Sequence, residues 1–232
     1  MNTTFSPLID DLTLGYRYRP AVAQPIGLVI LMHGVGSNED SLLGLAGFIP
    51  ENISVVSVRS PLTMAPGAYS AFSVSFTTDG PKIDAAAAES SRQKLLRFIP
   101  ELQQRYGLVA EQTLIAGFSQ GGIMSASLAL TAPKSIRGFA ILSGRILPEI
   151  GPLIAPTEDL KHLSALVVHG QDDDRLPYFW AEKSATLLQE YGVPFHLLQY
   201  KMGHEITREV ATDFANWVCN VMGGARCAQH GI

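Results

Sequence analysis

Thr113-Leu114-Ile115-Ala116-Gly117-Phe118-Ser119-Gln120-Gly121-Gly122 runs from a short apolar stretch into a serine bracketed by glycines. The apolar residues read as a buried strand, and the small, apolar residues 120–131 read as a closely packed helix. A serine on so sharp a turn is forced into a strained backbone conformation. The close crossing of strand and helix leaves no room for side chains at 117 and 121, hence glycine at both. The bare G-x-S-x-G string is weak evidence in a chain with 21 glycines among 232 residues. Its position, after a strand and before a helix, gives it weight. The competing reading is a glycine-rich turn of a nucleotide-binding fold, and neither G-x-G-x-x-G nor a Walker lysine accompanies it.

Outward from this turn the chain alternates. Apolar runs at residues 26–32, 53–58, 113–118, 138–142, 165–169 and 195–200 are rich in Val, Ile, Leu and Phe. They read as parallel strands covered on both faces. Residues 12–18 alternate and read as an antiparallel edge strand. Helical patterns lie between: 84–106 with Asp84 as N-cap, 120–131, 178–191 and 205–222. Pro100 is expected to kink the first or end its first half. Residues 61–82, aromatic and glycine-containing, read as a long loop with functional potential. The expected architecture is one α/β domain over residues 1–222, a mostly parallel sheet with helices on both faces, and a frayed tail at 223–232. Sites in such folds lie past the carboxyl ends of the strands.

Composition narrows the function classes. There are 17 Lys and Arg against 21 Asp and Glu, a net charge of -4. No basic footprint for nucleic acid exists. The charged share, 16%, is below the typical value of about 25% and is compatible with an apolar patch at the site mouth or in a homodimer contact. The strongest apolar run covers residues 26–32, far short of the roughly 20 residues of a membrane span. The N-terminus shows no signal-peptide pattern. Cys219 and Cys227 have no metal-ligand spacing and read as reduced thiols of a cytoplasmic protein, a disulfide tying down the tail being the alternative.

Three strand ends besides the serine turn carry chemistry. A serine needs a base, and the base an orienting acid, in the chain order Ser, Asp, His on a turn of this kind. After residues 165–168 comes His169-Gly170-Gln171-Asp172-Asp173-Asp174-Arg175-Leu176-Pro177. After 195–200 comes Lys201-Met202-Gly203-His204-Glu205. Of six histidines, His230 is in the tail, His162 on a polar connection and His196 inside a strand. His33 and His169, each followed by glycine, read as loop braces. His204 alone follows the acid candidates in a strand-to-helix loop, which makes it the base. Spacing does not separate the three aspartates. At the third strand end, Leu31-Met32-His33-Gly34-Val35-Gly36, the glycines let the Val35 N–H turn inward as an oxyanion donor beside that of Gln120.

Together these residues resemble the phospholipase/carboxylesterase family of α/β-hydrolases, which includes the acyl-protein thioesterases. The resemblance rests on the His33–Gly36 loop, the Gly117-Phe118-Ser119-Gln120-Gly121-Gly122 turn, Leu142-Ser143-Gly144, His169-Gly170-x-x-Asp173-x-x-x-Pro177 and Gly203-His204, in the family's order. It implies an α/β-hydrolase fold, a Ser119–Asp173–His204 triad, Val35 and Gln120 as oxyanion donors, and no metal or organic cofactor. It makes Asp173 the acid, and Leu176 and Phe72 candidates for contact with substrate. Two positions depart from the pattern. Asp174 stands where the family usually has proline. Tyr69-Ser70-Ala71-Phe72-Ser73 replaces a segment that often carries tryptophan. The implied activity is a serine carboxylesterase acting on small-molecule esters of short to medium acyl chains. The alternatives are an acyl thioesterase or lysophospholipase, and a noncatalytic binder on the same fold.

Overall fold

The computed structural model describes residues 4–77 and 80–223. The strands are β1 (Tyr16–Arg19), β2 (Gly27–Met32), β3 (Ile53–Val58), β4 (Leu62–Ala65), β5 (Ala68–Ser70), β6 (Val74–Thr77), β7 (Gly80–Ile83), β8 (Thr113–Phe118), β9 (Gly138–Leu142), β10 (Ser164–Gly170) and β11 (Phe195–Tyr200). The α-helices are α1 (Leu43–Ala46), α2 (Ala85–Tyr106), α3 (Gln120–Thr131), α4 (Thr157–Leu160), α5 (Phe179–Glu190) and α6 (Arg208–Val221). Seven strands form the central sheet in the order β1-β3-β2-β8-β9-β10-β11. β1 alone runs antiparallel, paired to β3 with Tyr16 opposite Val58, so the expected edge strand exists but sits later in the chain than its alternation suggested.

The apolar runs are continuous because the sheet is buried on both sides. Period-two geometry sends alternate residues to opposite cores. In β2, Leu28, Ile30 and Met32 join the core under α2 and α3, while Val29 and Leu31 join the one under α1 and α6. β8 divides likewise, Ile115 to the first core and Leu114 and Ala116 to the second. α6 contributes Val210, Phe214, Trp217 and Val218 to that second core.

Helix α2 begins as the sequence indicates, the Asp84 carboxylate accepting a hydrogen bond from the Ala87 N–H at 2.9 Å. Pro100 does not end it; the helix runs on to Tyr106. Leu95, Phe98, Ile99 and Leu102 are buried on both sides of the proline, and that packing outweighs one lost helical hydrogen bond. The expected loop at 61–82 is instead two small ribbons, β4 with β5 and β6 with β7. Cys219 lies half-buried on α6. Cys227, His230 and the tail beyond Gly223 lie outside the described residues. No helix among those described is long and apolar enough to cross a membrane.

Candidate active site

β8, β9 and β10 are parallel neighbours, so their carboxyl ends share one edge of the sheet. Ser119 follows β8 with φ 54° and ψ -116°. The turn is tight enough that a Cβ on Gly117 would overlap the Gly121 carbonyl carbon, and one on Gly121 would overlap the Met32 carbonyl. Serine at a helix N-cap ordinarily accepts a bond from the first turn. Here the unusual backbone turns the side chain away, and no cap bond forms. The half-buried hydroxyl is left available for other chemistry.

The acid loop is arranged around one carboxylate. Asp172 and Asp174 are exposed, whereas Asp173 is buried. Its Oδ1 accepts bonds from the backbone N–H of Arg175 at 3.0 Å and of Leu176 at 2.8 Å. Its Oδ2 lies 2.7 Å from His204 Nδ1. That pairing puts the imidazole hydrogen on Nδ1 and leaves Nε2 as a lone-pair acceptor. The two loops are pinned together by backbone. The Asp172 N–H donates to the Met202 carbonyl at 3.1 Å, and a Cβ on Gly170 would overlap that same carbonyl. The His204 ring lies 4.8 Å from the ring of Phe118, the residue before Ser119.

Two further histidines brace these loops. His33 is buried, with Nδ1 donating to the Gly34 carbonyl at 2.7 Å and Nε2 accepting from the Ser60 N–H at 3.1 Å. His169 is buried, with Nε2 2.6 Å from the Leu176 carbonyl and 3.4 Å from Asp173 Oδ2. A carbonyl only accepts, so Nε2 carries the hydrogen and Nδ1 is left buried without a partner. Burial pulls both imidazoles below their ordinary pKa, and each stays neutral.

The loop after β2 lies against the serine: a Cβ on Gly34 would sit 3.5 Å from that of Ser119. Gly36 takes φ 75°, a left-handed turn, and its N–H donates to the Tyr69 carbonyl at 2.9 Å. Between them Val35 is exposed. The Gln120 N–H, in the first turn of α3, has no carbonyl partner within the helix. Its side chain does separate work. Oε1 accepts from the Ala71 N–H at 2.7 Å, and Nε2 donates to the Phe72 carbonyl at 2.8 Å. This clamp on the 61–82 region was missed in the sequence, although a buried amide one residue past a tight serine turn needs backbone partners.

Phe72 is 1% exposed and packs in the core, and its backbone carbonyl accepts the bond from the Gln120 amide. Leu176 is half-buried beside Asp173. His196 is exposed on edge strand β11, and His162, also exposed, lies 3.0 Å from the Pro133 carbonyl. Among the described residues no group of three or more His, Cys, Asp or Glu side chains could hold a metal ion.

A family model for phospholipase/carboxylesterase matches residues 21–221. A probable carboxylesterase SOBER1-like protein of Arabidopsis thaliana is 33% identical over 113 residues, covering 48% of this chain and 43% of that protein. The match thus spans less than half of that relative. Acyl-protein thioesterase 1 of Kluyveromyces lactis is 26% identical over 220 residues, covering 86% and 94%. Among solved structures, a carboxylesterase from Mesorhizobium loti superposes with a TM-score of 0.81 at 24% identity, covering 92% and 98%. The Mesorhizobium loti chain shares this fold.

Proposed function

The chain belongs to the phospholipase/carboxylesterase family and has the α/β-hydrolase fold, and we propose that it is a serine hydrolase of esters or thioesters working through Ser119, His204 and Asp173. The carrying observation is the 2.7 Å contact between Asp173 Oδ2 and His204 Nδ1 at the strand ends beside an uncapped serine. In this reading His204 Nε2 takes the Ser119 proton as the oxygen attacks the acyl carbonyl. Asp173 keeps the imidazole in the needed tautomer and stabilises its protonated form. The N–H groups of Val35 and Gln120 receive the developing oxyanion, an interaction worth about 10²–10³ in rate per donor. His204 returns the proton to the leaving group, and water repeats the cycle on the acyl-enzyme. Leu176 borders the acyl pocket.

The proposed substrates are carboxylic esters of short to medium acyl chain. A thioester reading draws support from the acyl-protein thioesterase among the relatives. A 4-nitrophenyl ester series and an acyl-CoA series, each with a Ser119→Ala control, separate the two. Turnover concentrated on esters of short to medium acyl chain is expected. A steady rise to long chains, or faster turnover of thioesters, would contradict it. Equal rates for wild type and Ser119→Ala would leave a noncatalytic binder.

A further inference from the structure

One cation at the same edge of the sheet has no ion-pair partner among the described residues. Arg145 lies three residues past β9, the strand between the Ser119 turn and the Asp173 loop. Its neighbours fix where the chain passes. A Cβ on Gly144 would sit 2.9 Å from the Ser119 carbonyl oxygen. On the other side, the Ile146 N–H donates to Ser184 Oγ of α5 at 3.2 Å. Arg145 therefore sits on the short path from the serine turn to the helix that follows the acid loop. Its guanidinium lies 4.2 Å over the indole of Trp180, one turn before Ser184.

A half-buried guanidinium normally finds a carboxylate. Among the described residues no ion pair to Arg145 forms; the field of Glu149 reaches it. Burial outweighs that field and lowers the pKa of the group. Trp180 offsets part of the lost hydration through its ring face, but a ring contact leaves the in-plane N–H donors unused. Those donors match a carboxylate in geometry and charge.

We infer that Arg145 is a specificity residue that binds a carboxylate carried by the substrate, so that anionic esters are preferred over neutral ones of the same size. The inference rests on the serine-hydrolase reading above and narrows its substrate class. A carboxylate on the acyl part and one on the alcohol part would satisfy the same donors.

Two matched pairs distinguish them: 4-nitrophenyl hemisuccinate against 4-nitrophenyl butyrate, and 3-acetoxybenzoate against phenyl acetate, each corrected for spontaneous hydrolysis. The readout is the anionic-to-neutral ratio of kcat/KM within one protein, which is insensitive to loss of folded material. Wild type should favour the anionic member of one pair. Arg145→Gln should lower that ratio about tenfold, mainly through KM, the size of one charge-assisted contact. Arg145→Lys should fall between. An unchanged ratio in Arg145→Gln, or a wild-type preference for the neutral ester in both pairs, overturns the inference. So does an equal fall in Lys183→Gln, whose Nζ lies 5.2 Å from the same indole, since a diffuse field would then suffice. Neutral-ester turnover lost in Ser119→Ala shows that the hydrolase reading stands whatever these ratios do.

Discussion

Ser119 and Ser143 follow neighbouring parallel strands, both with positive φ, 54° and 50°. Each sends its N–H to the next strand over, Ser119 to the Leu142 carbonyl and Ser143 to the Val168 carbonyl, both at 2.8 Å. Beyond that they diverge. Ser119 precedes a twelve-residue helix and is half-buried, next in the chain to Phe118, whose ring meets that of His204. Ser143 is 1% exposed, and its hydroxyl is buried without a partner. Backbone strain therefore marks how this sheet turns its strand ends. Access and a helix start distinguish the first serine, and the close strand-to-helix crossing behind them needs the glycines at 117 and 121.

The comparison breaks most sharply at the hydroxyls. Ser119→Ala should lower kcat on a 4-nitrophenyl ester by about 10⁴-fold or more with circular dichroism unchanged. A residual rate within tenfold of wild type would deny the two turns different roles. Gly121→Ala tests the geometry that separates them. The added methyl meets the Met32 carbonyl, a backbone atom that cannot step aside, so a loss of about 1–3 kcal/mol or more is expected in urea unfolding. A fully stable variant would mean the crossing is looser than described.

The braces around the site sharpen the contrast through pH. Burial holds His33 and His169 below the free imidazole value of 6.5. In the unfolded chain they regain that value, so under about pH 6.5 the unfolded state binds protons that the folded state refuses. Their contribution is complete above that pH and is lost as pH falls toward the folded values. The urea midpoint should drop between about pH 7 and pH 5, and His169→Gln should flatten the drop. An equally steep profile in the variant would assign the effect to other groups. The smallest change belongs to Ser143→Ala. Removing an unpartnered buried hydroxyl should leave stability within about 1 kcal/mol of wild type, on the stabilising side, with esterase rates retained.

Much of this was legible in the sequence for a physical reason. Strands buried on both faces read as near-continuous apolar runs, so residues 53–58, 113–118 and 138–142 announced β3, β8 and β9 with the same bounds, and the Phe, Leu and Tyr of residues 195–200 marked the partly exposed edge strand β11. The serine turn was legible because steric exclusion writes glycine at fixed offsets. The ribbons of residues 62–83 were not. Thr63, Met64 and Ala65 are exposed around a tight turn and carry no apolar alternation. Three consecutive aspartates are alike in sequence, and only their packing turns Asp173 inward while its neighbours face solvent. At Phe72 the Gln120 amide holds the backbone carbonyl while the ring packs in the core, a division no local pattern shows. Arg145 and Trp180 lie 35 positions apart, and nothing local joins them.

The central claim is that the hydroxyl of Ser119 reacts while that of Ser143 does not. Treatment of folded protein with a fluorophosphonate, followed by peptide mass spectrometry, reads this directly. A single adduct on the peptide holding Ser119, absent in Ser119→Ala and retained in Ser143→Ala, is the expected result. Folded wild-type protein that stays unlabelled, or an adduct that survives Ser119→Ala, would contradict it.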